Sequence, residues 1–104
     1  MEQLSVQTLQ QQLNNVTAPL VLDVREASEW AICHIEGALH IPMGEITRRY
    51  QELPDDLPIV VMCHHGMRSL QVAHYLQQQG FNVANLAGGI DAWAQEIDAQ
   101  MTRY

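Results

Sequence analysis

The sequence is poor in positive charge and in cysteine. Lys and Arg together number 5 against 12 Asp and Glu, and the formal net charge at pH 7 is -7. Such a chain repels a phosphate backbone at long range, which argues against a nucleic acid partner. Its two cysteines, Cys33 and Cys63, lie thirty positions apart and form no CxxC pair. That spacing argues against a disulfide scaffold and against a cysteine-rich zinc site.

Long apolar segments are also absent from the sequence. No apolar run approaches the roughly 18 residues that a membrane-spanning helix needs. The opening segment, MEQLSVQTLQQQL, lacks the basic and then apolar order of a signal peptide. We therefore expect a soluble, cytoplasmic protein with no membrane partner. A length of 104 residues suits one domain over residues 1–104, and a monomer is the simplest expectation.

Short apolar runs recur along the chain and predict the strands of a sheet. The uninterrupted run 59–62 is typical of a strand buried on both faces, as in parallel sheets covered by helices. The predicted strands are an extended segment near Leu4, then Leu20–Asp23, a segment near Ala38–His40, Ile59–Met62 and Val83–Leu86.

Helix-forming segments alternate with these strands. Ser5 is a predicted cap for a short amphipathic helix, because Val6, Leu9 and Leu13 follow at helical spacing. The other predicted helices are one or two turns within Glu26–Ala31, a short helix in Glu45–Leu53, a helix over Ser69–Gln79 that stops at Gly80, and a closing helix from Ile90 to about Met101. This alternation predicts an α/β domain with a mainly parallel sheet.

Cys63 directly follows the apolar run 59–62, at the carboxyl end of a predicted strand. Ligands and reactive groups collect at such strand ends in parallel sheets. The predicted loop, Cys63 to Arg68, precedes a helix whose positive end lowers the pKa of a nearby thiol. Gly66 permits a positive φ. Arg68 is suited either to hold an anionic substrate or to brace the loop against a carboxylate, and the sequence leaves both roles open.

Three blocks in order resemble the single-domain rhodaneses, or sulfurtransferases: 20-LVLDVREASEWAICHIEGALHIP-42, 58-PIVVMCHHGMRS-69 and 80-GFNVANLAGGIDAW-93. The resemblance implies a five-stranded parallel sheet flanked by helices. It also implies that Cys63 is a nucleophile carrying sulfur as a persulfide. Asp23 and Arg25 match the family's Asp-Val-Arg motif and are expected near the loop in a structural or electrostatic role. The implied cradle around the sulfur consists of the amides of His64, His65, Gly66, Met67, Arg68 and Ser69.

The spacing between Cys63 and Arg68 bears on the chemistry. Four residues intervene, whereas the related cell-cycle phosphatases and arsenate reductases have five. The shorter loop favours sulfur transfer over phosphate hydrolysis. The expected donor is thiosulfate, another small sulfur-containing anion or a persulfide, and the expected acceptor is cyanide, a thiol or a partner protein. No cofactor is expected.

Cys33 is a departure from the family pattern, because it stands where glycine usually precedes a His-Ile pair. Two interpretations remain open for it. Cys33 is either a second thiol that relays the persulfide, or a small residue that fills space after a short helix. The adjacent His34 is expected to be packed and hydrogen bonded.

A metal site is the alternative interpretation of the histidines around Cys63. His64, His65 and His74 together with Cys63 offer nitrogen and sulfur ligands of a suitable kind. However, adjacent histidines are not expected to point to one ion, and no second paired ligand occurs at the usual spacing. We therefore expect no metal here. The pair Gly88-Gly89 is interpreted as a turn before the last helix.

Overall fold

The computed structural model describes all 104 residues, from Met1 to Tyr104. Its centre is a five-stranded sheet with the strand order β1-β5-β4-β2-β3, in which every neighbouring pair is parallel. The predicted α/β class is confirmed. The sheet was predicted to be mainly parallel, and in the structure it is entirely parallel. The strands are β1 (Glu2–Leu4), β2 (Leu20–Asp23), β3 (Leu39–His40), β4 (Ile59–Met62) and β5 (Val83–Leu86).

Five α-helices flank the sheet: α1 (Val6–Leu13), α2 (Ala27–Ile32), α3 (Ile46–Arg49), α4 (Met67–Gln78) and α5 (Gly89–Glu96). None of them has the length and apolar character that a bilayer span demands. The predicted cap of α1 is present, because the backbone N–H of Thr8 donates to the Ser5 hydroxyl at 3.1 Å.

Three predicted helices have different bounds in the structure. The helix expected from Ser69 begins two residues earlier, at Met67, because Gly66 takes a φ of 106° and lets the chain enter the helix at once. The helix expected over residues 45–53 is broken into one short α-helical segment between two 3₁₀ turns. The closing helix ends at Glu96 rather than near Met101.

The early end of α5 has a local cause. The backbone N–H groups of Ile97 and Asp98 both donate to the carbonyl of Trp93, at 2.9 and 3.0 Å, so the last turn closes on one acceptor. The chain then turns through residues 98–101. Ile97 and Met101 still pack against the core and are partly buried, so these apolar positions are covered without a longer helix.

The sheet separates two clusters of buried apolar residues. Successive side chains of β4 point alternately into one cluster and the other. Val61 packs with α3 and α4 on one face, whereas Val60 and Met62 pack with α1 and α5 on the other. Cys63 continues the alternation and belongs to the α4 side. Its side chain therefore lies beneath the start of α4, which the polypeptide enters four residues later, at Met67.

The strand order places Cys63 at a switch point of the sheet. From β2 the chain continues to β3 on one side, and from β4 it continues to β5 on the other. The carboxyl ends of β2 and β4 therefore border a crevice, the usual position of a ligand site in such sheets. Residues that follow β2 lie on one side of the Cys63 loop, and residues that follow β5 lie on the other.

Candidate active site

Three hydrogen bonds converge on the sulfur of Cys63. The amide of Gly66 donates to Sγ at 3.1 Å, the amide of Ser69 at 3.4 Å and the hydroxyl of Ser69 at 3.3 Å. Gly66 is the N-cap of α4 and has no side chain to satisfy the first-turn amides. The sulfur therefore occupies the position of a capping group at the positive end of a helix.

These donors set the ionisation of the Cys63 thiol. Burial acts to raise its pKa, but the hydrogen bonds from the hydroxyl and amide of Ser69 and from the amides of Gly66 and His65 outweigh it, so the pKa lies below its ordinary value. Only 1% of Cys63 is exposed. The lowered pKa favours the thiolate form of Cys63.

The start of α5 holds the loop from behind. The amide of Ile90 donates to the Cys63 carbonyl at 2.9 Å, and that of Asp91 to the His64 carbonyl at 3.1 Å. Gly89 lies so close that a Cβ there would overlap both of these carbonyl oxygens. The loop thus turns the carbonyls of Cys63 and His64 toward α5, and of the predicted cradle of amides, those of Gly66 and Ser69 donate to the sulfur. Gly89 is part of the support of the site as well as of the predicted turn.

Asn85 is a second support that the sequence interpretation missed. It is buried on β5, and its Nδ2 donates to the Gly66 carbonyl at 3.0 Å and to Gln3 Oε1 at 3.1 Å. Its Oδ1 accepts from the Ser69 hydroxyl. Since that hydroxyl has one hydrogen, Asn85 and the Cys63 sulfur share it. The only sequence signal was a polar residue within an apolar strand.

Arg68 lies on the outer side of the loop, where both of its terminal nitrogens bind one carboxylate. Nη1 donates to Glu29 Oε1 at 2.7 Å and Nη2 to Oε2 at 3.0 Å. This pairing lowers the pKa of Glu29 to about 2 and raises that of Arg68. Of the two roles considered for Arg68, the structure has the bracing geometry. Glu29 itself was not singled out from the sequence.

Asp23 and Arg25 form a fully buried ion pair at the end of β2, with 2.7 Å between Nη2 and Oδ2. Arg25 also binds α2 and the residue that follows it: Nη1 donates to the Glu29 carbonyl at 3.2 Å and Nη2 to the Cys33 carbonyl at 2.7 Å. Burial acts to lower the pKa of Arg25, but hydrogen bonds to Asp23 and Tyr104 raise it overall. The pair thus ties α2, and with it Glu29, to the sheet.

Comparison with known proteins agrees with the geometry of this site. The family described as "Rhodanese-like domain" matches residues 5–96. The chain belongs to this family. A sulfurtransferase of Allochromatium vinosum is 42% identical over 90 residues, which are 86% of this chain and 84% of the relative. A solved rhodanese-like domain protein of Staphylococcus aureus is 27% identical, with a TM-score of 0.87 over 100% of this chain and 99% of that chain.

YrkF of Bacillus subtilis (strain 168), provisionally named a sulfur carrier protein, is 36% identical over 97 residues. The match takes in 92% of this chain but 52% of YrkF, so the rhodanese-like chain spans about half the length of that relative. The family and the names of these relatives support a role in sulfur transfer in general.

The remaining cysteine of this rhodanese-like domain, Cys33, follows α2 in an extended conformation. It is half-buried against the cluster on the α1 and α5 side, and its carbonyl accepts from Arg25. The next residue, His34, lies flat on Trp30 with 4.0 Å between ring centroids, and its Nδ1 is 3.1 Å from the Trp30 carbonyl oxygen. His34 is thus stacked and hydrogen bonded, as expected, but it is exposed rather than buried.

The adjacent residues His64 and His65 were not expected to point to one ion, but the structure brings their rings together. The His64 and His65 rings have centroids 3.9 Å apart, and their ligand atoms lie within 4.8 Å of one another and of Asp91. These three residues, without Cys63 or His74, are the ones that could hold a metal ion. However, both carboxylate oxygens of Asp91 already accept hydrogen bonds, Oδ1 from Arg103 at 3.1 Å and Oδ2 from Gln95 at 2.8 Å.

The outermost loop residues are Met67 and His65. Met67 is 73% exposed and His65 is also exposed. They give the mouth of the loop one apolar and one polar side chain. The side chain of Met67 is free of the core, whereas the His65 ring lies against that of His64.

Proposed function

We propose that the protein is a sulfurtransferase in which Cys63 accepts the outer sulfur of thiosulfate, or of a related sulfane donor, and passes it to cyanide or a thiol. The observation that carries this proposal is the set of three hydrogen bonds on the Cys63 sulfur. Such donors favour the thiolate and also stabilise the anion that replaces it. The family membership and the names of the relatives support sulfur transfer as the reaction class.

In the first half-reaction the Cys63 thiolate attacks the outer sulfur of thiosulfate. A new S–S bond forms, the S–S bond of the donor breaks, and its electron pair leaves with sulfite. One negative charge stays on the enzyme as the persulfide Cys63-S-S⁻. The amides of Gly66 and Ser69 are already aimed at this region, so little reorganisation is needed when the charge moves outward by one atom.

In the second half-reaction a thiophilic acceptor attacks the outer persulfide sulfur. With cyanide, the S–S bond breaks, thiocyanate leaves and the Cys63 thiolate is restored. The covalent intermediate divides the reaction into two steps, so ping-pong kinetics are expected. Neither step needs a metal or a cofactor.

Arg68 contributes to this scheme mainly through Glu29. Both of its terminal nitrogens are engaged by that carboxylate, so its proposed task is to hold the first turn of α4 in place. Asp23 and Arg25 act one step further out, because they fix α2, which carries Glu29.

A persulfide carrier is the second candidate function, favoured by the name of YrkF, which this chain resembles over 97 residues. In that case the same Cys63 persulfide is delivered to a partner protein, and turnover with small molecules is incidental. The exposed Met67 and His65 would then contact the partner.

Incubation with thiosulfate and cyanide distinguishes the two functions. Rapid thiocyanate formation that is lost in Cys63→Ser supports the enzyme, whereas a stable persulfide with negligible turnover supports the carrier. Full activity in Cys63→Ser would refute both. Cys33→Ser is the matched control: retained activity assigns Cys33 to packing, and loss of only the second half-reaction assigns it to relay. Cys63-dependent hydrolysis of an aryl phosphate would instead overturn the argument from loop length.

A further inference from the structure

Residues 103–104 fold back onto the mouth of the Cys63 loop. The ring of Tyr104 stacks on that of His64, with centroids 3.9 Å apart and planes 10° apart. Its hydroxyl accepts from Arg25 Nη1 at 3.0 Å and donates to Glu29 Oε2 at 2.7 Å. One side chain thus contacts the residues that follow β2, helix α2 and the loop itself.

The contacts of Tyr104 converge with those of Arg68. Glu29 Oε2 accepts from both the phenol and the Arg68 guanidinium, so the two side chains are held by one carboxylate. The preceding residue, Arg103, donates to Asp91 Oδ1 at 3.2 and 3.1 Å, and the Asp91 amide supports the His64 carbonyl. The segment 103–104 is therefore anchored on both sides of the loop.

We propose that Tyr104 is a positioning residue for sulfur transfer at Cys63. Tyr104 holds the His64 ring and the Glu29–Arg68 pair at the entrance to the Cys63 loop. These side chains then form a preformed binding surface for a small anionic sulfur donor. The proposal rests on the function proposed above, and it adds a residue that acts on donor binding rather than on the sulfur itself.

The ionisation of the groups involved agrees with this role. Burial raises the pKa of Tyr104 to about 12, so the phenol remains a donor to Glu29 at neutral pH. Burial also lowers the pKa of His64, with a further contribution from His65. Asp91 and Glu29 oppose this effect, whereas Arg68 adds to it. Loss of the Tyr104 ring would expose His64 to water.

The position of Tyr104 predicts which kinetic constant it controls. The donors on the Cys63 sulfur come from Gly66 and Ser69, whereas the hydrogen bonds of Tyr104 go to Arg25 and Glu29. Its removal should therefore weaken binding of the donor with little change in the chemical step. A rise in KM with kcat retained is the corresponding kinetic signature.

The experiment measures thiosulfate:cyanide kinetics in Tyr104→Ala and Tyr104→Phe. We expect KM for thiosulfate to rise about tenfold in Tyr104→Ala, since contacts with charged partners are lost, while kcat changes by less than about twofold. Tyr104→Phe keeps the stack on His64 and loses both hydrogen bonds, so its KM should lie between that of the unchanged protein and that of Tyr104→Ala. Tyr50→Phe is the matched control, because Tyr50 packs edge-on against Tyr75 and Phe81, away from this site.

An NMR titration of the His64 ring gives a readout independent of turnover. Its pKa should rise toward the ordinary value in Tyr104→Ala and stay unchanged in Tyr50→Phe. The inference is overturned if folded Tyr104→Ala keeps the KM of the unchanged protein, or if kcat falls and KM does not move. If Tyr104→Ala does not fold, an unchanged KM in Tyr104→Phe overturns it instead. Failure of the unchanged protein to form a persulfide would refute the proposed function, which is a separate result.

Discussion

Neutral donors surround the sulfur of Cys63, whereas charged side chains lie around the outer rim of the same loop. On the inside, Gly66 and Ser69 donate to Sγ and the buried Asn85 holds both of them. On the outside, Glu29 and Arg68 form a bidentate ion pair.

The difference between the inner side and the rim separates two tasks. Backbone amides fixed by the fold can stabilise the negative charge both on the Cys63 sulfur and on the outer sulfur that is added to it. No counterion has to be displaced when that sulfur is added. The ion pairs of the rim fix elements relative to one another. Changes on the inner side should therefore alter the thiolate pKa and kcat, and changes at the rim should alter stability toward acid and donor binding.

Gly89→Ala should have the largest effect. The added Cβ would overlap the carbonyl oxygens of Cys63 and His64, at a φ of 60° that already disfavours a side chain. Overpacking of this kind costs about 3 kcal/mol. Urea denaturation measures the free energy of unfolding. The control is Gly44→Ala, where a Cβ meets nothing within 4 Å, and equal effects of the two substitutions would contradict the close contact.

Ser69→Ala should come next, because it removes the hydroxyl donor from the sulfur but leaves the amide. We expect kcat to fall about a hundredfold, the typical loss for one donor to a reacting anion. The Cys63 pKa should also rise, as measured by the rate of alkylation against pH. Ser28→Ala, at an exposed position of α2, is the control. An unchanged alkylation profile in Ser69→Ala would show that the hydroxyl does not serve the thiolate.

Asn85→Ala tests the support of the inner side. It leaves the Gly66 carbonyl and the Ser69 hydroxyl without their partner in a buried site, which costs about 2 kcal/mol of stability. Thermal or urea unfolding measures this loss, and Asn82→Ala, at an exposed position directly before β5, serves as the comparison. If both variants unfold at the same urea concentration, Asn85 does not hold the loop.

Glu29→Gln should have the smallest effect, and it should depend on pH. The pKa of Glu29 is lowered from 4.5 to about 2, chiefly by Arg68. Its contribution is therefore present above pH 4.5 and is lost as the pH falls toward 2. Allowing for solvent screening, this amounts to about 1 to 2 kcal/mol. Unfolding measured across this range should show a shallower loss in Glu29→Gln than in the unchanged protein.

Glu36→Gln provides the reference for that titration, since Glu36 is exposed and makes no ion pair in the structure. Its acid profile should follow that of the unchanged protein. If the acid profile of Glu29→Gln also followed that of the unchanged protein, the Glu29–Arg68 ion pair would add nothing to stability.

The sequence predicted those parts of the fold that depend on local pattern. The apolar runs 20–22 and 59–62 predicted buried parallel strands, and the position of Cys63 directly after the second predicted a strand-end loop. Gly66 was correctly associated with positive φ, which is 106° in the structure. These features depend on residues a few positions apart, whose chemistry is visible in a single stretch.

The supports of the site depend instead on contacts between residues far apart in the chain. Glu29 and Arg68 are 39 positions apart, Asn85 and Gly66 are 19 apart, and Tyr104 and Glu29 are 75 apart. No periodicity or motif relates such pairs. Each of these residues is also of a type common on surfaces, so only the packing of the strands identifies its partner.

Intact-mass measurement after treatment with thiosulfate tests the central claim most directly. We expect the protein to gain one sulfur atom and a reducing thiol to remove it. Cys63→Ser should gain none, while Cys33→Ser should gain it as before. A protein that gains no sulfur, or one that gains it equally in Cys63→Ser, would contradict the assignment of Cys63 as the sulfur-carrying residue.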